Sequence, residues 1–254
     1  MDRGFNLSIN TGPYPVDFTK VRAYKDANQK RIDGLAQLMI DDDTFDASLI
    51  LKSLFPTVNA DIFLSHSSKD TNEAIQIALE LQEKCGLNVF VDSCIWGSIY
   101  DLLKAVDNKY CRSEDQTNYD YDYDYRNRTT AHMHMILTTA LQRMIDQTDT
   151  IIFMNTDHSI SLKHSVNEEK KTLSPWIHME LNFSTLVRRR PRYKMLIKSE
   201  RAMDGVISNE QFNVAHDAPT GHLTSIAESD FRTWMLQAST LRGSKAIDLL
   251  YSKF

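Results

Sequence analysis

A tryptophan and a glutamate one helical turn apart, Trp176 and Glu180, form the pair in this sequence best suited to chemistry. They fall in Leu173-Ser-Pro-Trp-Ile-His-Met-Glu-Leu181. Ser174 is a favoured N-cap residue there, and Pro175 suits the first helical position, where it leaves no N–H unpaired and its φ is already helical. Side chains four apart share a helix face, so an indole and a carboxylate project together from the first two turns. A carboxylate so placed can stabilise a developing cation and accept hydrogen bonds from hydroxyls, with the indole as an aromatic wall. The same residues also fit plainer roles: Trp176 as core, and Glu180 as an acid favoured by the positive end of the helix dipole.

A second group, Ser65, His66, Ser67 and Lys69, stands between the short apolar run Ala60–Leu64 and the start of a helix, the usual place for a phosphate to be received. No glycine-rich loop accompanies them, so His66 as a structural residue and Lys69 as a solvated charge stay open. Asp92 closes another apolar run, Leu87–Val91, and either orients the loop that follows or caps its strand. Trp96, in that loop, either stacks on a base or anchors the loop.

The elements that must position these residues alternate. Residues 1–15, with Gly4, Gly12, Pro13 and Pro15, read as an irregular lead-in, and helical spacing over Phe18–Met39 and Thr44–Leu54 predicts a helical preamble ended by Pro56. Ala60–Leu64 is a buried strand. Asp70 with Glu73 makes a capping-box pattern for a helix to about Lys84, closed by Gly86, and Leu87–Val91 is a second strand. Asn108–Arg128, centred on the alternating Tyr119–Tyr125, reads as a mobile acidic insertion that controls access to the site. A helix from Thr130 to Gln147, the strand Thr150–Met154, a long polar connection, the Ser174 helix and a strand Tyr193–Ile197 follow. Near the end, Phe212–His216 and His222–Ile226 are candidate short strands, and Ser229 caps a helix. This order predicts an α/β fold, a central parallel sheet with helices on both faces, carrying a helical N-terminal and an α+β C-terminal extension. In such sheets ligands sit outside the carboxyl ends of the strands, where the loops at 65–70, 92–110 and 155–174 emerge.

Composition narrows the class. Over 254 residues, 42% hydrophobic and 25% charged is ordinary globular content, with room for a sizeable core. A net charge of −5 gives no reason to expect nucleic acid or a membrane surface as partner, and Arg188, Arg189, Arg190 and Arg192 are the only concentrated basic patch. Three scattered cysteines, no apolar signal core and no run near the ~18 residues of a membrane span lead to the expectation of a cytoplasmic protein without a metal site.

Taken in order, Asp61-Ile-Phe-Leu-Ser-His-Ser-Ser-Lys-Asp70, Gly86-Leu-Asn-Val-Phe-Val-Asp92, Thr150-Ile-Ile-Phe-Met154 and Ser174-Pro-Trp-Ile-His-Met-Glu-Leu181 resemble the TIR (Toll/interleukin-1 receptor) domain over about Asn59 to Ile197. The resemblance implies a flavodoxin-like fold over 57–200, interrupted at 108–128 and flanked by extensions over 1–56 and 201–254. In the catalytic branch it implies an NADase that breaks the nicotinamide–ribose bond of NAD+. NAD+ is then substrate, no cofactor or metal is needed, and the glutamate of W-x-x-x-E, here Glu180 beside Trp176, is catalytic. It further implies a hydrolase, cyclase or transferase making an ADP-ribose-derived signal, as in antiphage defence of the Thoeris kind. The expected partners are other TIR copies through their loops and a downstream effector that reads the product. The Tyr-Asp insertion and the terminal extensions depart from the family.

Two other functions stay in view. Many TIR domains only assemble with one another, and for such an interaction module the W-x-x-x-E glutamate is dispensable. A phosphate-accepting receiver on the same fold would use Asp92, but the acidic pair expected after the first strand is missing.

Overall fold

The computed structural model describes residues 1–41, 59–92, 103–112, 121–161, 170–187 and 214–254. Two compact units divide the chain: Met1–Val21 with Asn59–Asp92 and Met144–Phe254, and Arg22–Val58 with Ser93–Arg143.

In chain order the elements are β1 (Arg3–Ser8), α1 (Phe18–Asp41), β2 (Ile62–Ser65), a 3-10 turn at Ser68–Asp70, α2 (Thr71–Cys85), β3 (Val89–Val91) and α3 (103–110). Then follow α4 (Tyr123–Gln147), β4 (Thr150–Asn155), β5 (Lys171–Thr172), α5 (Pro175–Leu186), β6 (His216–Asp217), β7 (Thr224–Ala227), α6 (Glu228–Ala238) and α7 (Ser244–Lys253). Five strands form one parallel sheet in the order β3-β2-β4-β1-β7. Counted from β2, this is the flavodoxin-like arrangement, with the two places beyond β4 taken by β1 and β7. The segments expected to extend the core at either end therefore supply two of its five strands.

Strand β1 corrects the irregular lead-in expected for residues 1–15. Phe5 and Leu7 alternate with Gly4 and Asn6, a pattern short enough to pass for loop. The strand is nevertheless buried on both faces, and the glycine is needed there: a Cβ on Gly4 would lie 2.4 Å from Leu223 Cδ2 and 3.0 Å from Ile151 Cγ2.

Register sorts the side chains. Phe63 and Ser65 of β2, Ile151 and Phe153 of β4, and Gly4 and Asn6 of β1 share one face. Phe5 points the other way, where it stacks on Tyr251 of α7, and α6 packs there against β1, β7 and α2. Helix α5 meets the first face through Glu180, and helices are thus packed on both sides of the sheet. The chain passes from β2 to β3 on one side, and β4 lies on the other, so the connections after β2 and β4 diverge at their carboxyl ends. That is the crevice in which open α/β sheets receive ligands.

In the second unit, helix α4 starts at Tyr123, not Thr130, and corrects the mobile loop expected up to Arg128. Asp122 caps it, its Oδ1 accepting from the backbone N–H of Asp124 at 2.9 Å and of Tyr125 at 3.0 Å. Buried Asp107, in α3, accepts from Thr129 Oγ1 at 2.7 Å and Arg126 Nε at 3.2 Å, which fixes the flanks of the Tyr-Asp stretch. At the C-terminus, α6 begins at Glu228 with Ala227 in the cap position rather than Ser229, and a further helix, α7, follows Gly243. The expected helix Thr44–Leu54 and strand Tyr193–Ile197 lie outside the described residues. Among the described residues no helix is long and apolar enough to cross a membrane.

Candidate active site

Helix α5 forms for the reasons its sequence gives: Ser174 Oγ accepts from the Ile177 N–H at 3.3 Å, and Pro175 opens the first turn. Its buried stripe is Ile177, Glu180, Leu181 and Ser184, so a carboxyl group is carried into the interface with the sheet. Glu180 is 0% exposed, and Ser65 Oγ, at the end of β2, donates to its Oε2 at 2.6 Å.

Asp92, one residue past β3, is buried within hydrogen-bonding reach of Glu180. Two carboxyl groups can share a hydrogen bond only when one holds a proton. Glu180 is the one that keeps it, because burial, reinforced by the negative charge of Asp92, raises its pKa well above the ordinary 4.5. As an ion, Glu180 would leave Oε1 without a donor; as an acid it supplies one itself. The hydrogen bond from Ser65 works the other way and favours the carboxylate.

His66 completes the cluster. Its Nδ1 lies 3.0 Å from Asp92 Oδ1 and 3.2 Å from the Leu64 carbonyl oxygen. Burial alone would lower its pKa, but the Asp92 carboxylate outweighs burial and raises it. A neutral glutamic acid, an aspartate and an imidazolium leave the buried group without net charge, the state that costs least away from water.

The four loop residues expected to receive phosphate are therefore divided. Ser65 and His66 turn inward to Glu180 and Asp92, Ser67 caps the 3-10 turn by accepting from the Lys69 N–H at 3.4 Å, and Lys69 is exposed. Trp176 is half-buried one turn before Glu180, and Trp96 lies outside the described residues. Asp92 faces the glutamate and the histidine rather than standing open as a phosphate acceptor.

A second cluster, which the sequence does not announce, occupies the crevice between β2 and β4. Asp70 is 1% exposed and accepts from Thr11 Oγ1 at 2.9 Å, Thr156 Oγ1 at 2.6 Å and His158 Nδ1 at 2.6 Å. Its capping-box role is not fulfilled, since its side chain makes no cap hydrogen bond to α2. The carboxylate instead ties together the loops that leave β1, β2 and β4. The signal available in the sequence was a polar residue of the right type on each loop, with nothing to indicate that the three converge.

Among the described residues no group of three or more His, Cys, Asp or Glu side chains is placed to hold a metal ion. Comparison with protein-family models, curated proteins and solved structures returned no match.

Proposed function

We propose that this protein cleaves NAD+ between nicotinamide and ribose, as the TIR resemblance implies, with Glu180 as the residue that stabilises the ribosyl cation. The observation that carries the reading is the burial of Glu180 at the carboxyl ends of β2 and β3, hydrogen-bonded to Ser65 and next to the Asp92–His66 pair. A buried acid shifted by desolvation and a charged partner, at the ligand end of such a sheet, has the character of a functional-site residue.

The chemistry asks for one carboxylate. Nicotinamide departs as a neutral molecule from a cationic ring, so no acid has to protonate it, in contrast to the alkoxide expelled by glycosidases. The charge that develops is an oxocarbenium ion on the ribose, and a carboxylate held in a dry site stabilises it far more than one in water does. Glu180 rests as the neutral acid and ionises when the pyridinium cation arrives, because a nearby positive charge favours the carboxylate. Substrate binding is thereby coupled to loss of a proton, and kcat/KM rises with pH through the raised pKa of the free enzyme.

The product class follows from what captures the ribosyl cation: water, an internal hydroxyl or a second molecule. A released ADP-ribose derivative fits a signal read by a separate effector, and TIR copies meeting through their loops fit an assembled active form. Glu180→Gln keeps size and hydrogen bonds but can never be charged. It should lower nicotinamide release from NAD+ by roughly 10²-fold or more. A folded Gln variant as active as the parent removes the catalytic reading, and a wild type that self-associates without consuming NAD+ favours the interaction module.

A further inference from the structure

The Asp70–His158 pair is not used in that chemistry, yet it has the form of an oriented base. The imidazole is half-exposed, with a side chain 46% accessible, while the carboxylate that holds it is buried and accepts from two threonine hydroxyls as well. A carboxylate offers acceptors only, so the ring nitrogen facing it at 2.6 Å, Nδ1, is the one that carries the hydrogen. This fixes the tautomer. Nε2 of the neutral ring then holds a lone pair, and the ring cannot flip without breaking the bond to Asp70. His158 lies three residues past β4, beside the point where the connections after β2 and β4 diverge, at the same end of the sheet as Glu180.

From this geometry we infer that His158 is the proton acceptor for the molecule that replaces nicotinamide, with Asp70 as its positioning residue; the inference rests on the NAD+ reading above. The step balances. A water or alcohol oxygen forms a bond to the ribosyl carbon with its own electron pair, its O–H breaks, and the proton passes to His158 Nε2 and from there to solvent. Nicotinamide has already left with the electrons of the glycosidic bond, so no oxidant or reductant takes part.

The two captures of the ribosyl cation differ in one respect. Water or an alcohol must lose a proton, whereas free nicotinamide attacks through a ring nitrogen that has none to lose. A base at the acceptor site therefore serves hydrolysis and transfer but not the return of nicotinamide. His158→Asn keeps a side-chain N–H donor for Asp70 and has no basic nitrogen.

The test incubates full-length wild type and His158→Asn with NAD+ and labelled nicotinamide, measuring label entering NAD+ against formation of ADP-ribose products. Loss of a positioned base lowers a step by about 10²-fold or more. The ratio of exchange to product formation should accordingly rise at least tenfold in the variant while its melting temperature stays near that of wild type. An unchanged ratio, with exchange and product formation falling together or not at all, overturns the inference and leaves the NAD+ reading intact. A wild type that catalyses neither reaction overturns both. Should His158→Asn unfold, His158→Gln replaces it under the same criterion.

Discussion

Replacing Glu180 by glutamine should stabilise the protein, by an amount that grows with pH. In the folded chain the carboxyl group is buried, accepts from Ser65 and faces Asp92, and its pKa stands well above the ordinary 4.5. In the unfolded chain it titrates near the ordinary value. Between the two pKa values the folded state holds a proton that the unfolded state has lost, so wild-type stability falls as pH rises, with a slope of about 1.4 kcal/mol per pH unit. Glutamine reproduces the neutral acid: its carbonyl oxygen accepts from Ser65 and its amide N–H donates to Asp92, and nothing titrates. The variant minus wild-type difference should thus be near zero at about pH 4.5, climb at about 1.4 kcal/mol per unit, and level off at the folded pKa. His66, whose raised pKa contributes stability below its ordinary 6.5 that is lost as pH climbs through the folded value, is present in both proteins and largely cancels. Urea unfolding of both proteins at pH 5, 6, 7 and 8 at constant ionic strength measures the difference, which over two units amounts to roughly 5 to 11 °C in melting temperature. Parallel pH dependences, or a glutamine variant that loses ground as pH rises, would refute the protonated state of Glu180. A variant that gains stability while losing nicotinamide release has the signature of a residue kept for function against stability.

Two further substitutions probe the clusters separately. Ser65→Ala removes the hydrogen bond that favours ionised Glu180, so the rise of kcat/KM with pH should shift upward and the rate at pH 7 should fall about tenfold; an unmoved pH profile would mean that the serine only packs. Asp70→Ala strips the acceptor from Thr11, Thr156 and His158 and should cost about 3 kcal/mol or more in thermal or urea unfolding; a loss under about 1 kcal/mol would show that those loops are held by other contacts.

Much of this fold can be read from the chain because local and tertiary requirements coincide in it. The apolar runs at β2, β3 and β4 suit buried strands of a parallel sheet, and local chemistry sets two helix boundaries: Ser174 and Pro175 start α5 by a side-chain cap and a fixed φ, and Gly86 ends α2 at φ 62°. Strand β1 could not be read the same way. Gly4 and Asn6 are poor strand formers, and what makes them a strand is the parallel pairing to β4 and β7, sequence neighbours only through the fold. The start of α4 is hidden for another reason. The polar Tyr-Asp stretch reads as a mobile loop, yet the cap at Asp122 and the bonds from Asp107 to Arg126 and Thr129 favour helix from Tyr123.

The candidate site divides along the same line. Helical spacing alone carries Glu180 to a helix face, but not the sign of its environment: the sequence pairs it with Trp176, whereas the structure brings Ser65 and Asp92 to it, with His66 against Asp92, from the ends of strands that meet only in the sheet. That difference changes the chemistry expected of the residue. A carboxylate beside an indole on a helix surface is permanently ionised and binds a cation weakly through water, while an acid buried against a second carboxyl group is neutral at rest and becomes a strong electrostatic partner only when a cation replaces its proton. The same reasoning separates Asp70 from Asp92. Both close a strand or open a helix in the sequence, but the donors on Asp70 are two hydroxyls and an imidazole from diverging loops, whereas Asp92 stands between an imidazole and another acid. Both aspartates face a histidine, but only Asp92 also bears on a glutamate, whose neutral form its charge favours. On the proposed reading, Glu180 and His158, at one end of a single sheet, are the two groups that bond breaking at ribose and capture of the resulting cation would require in turn.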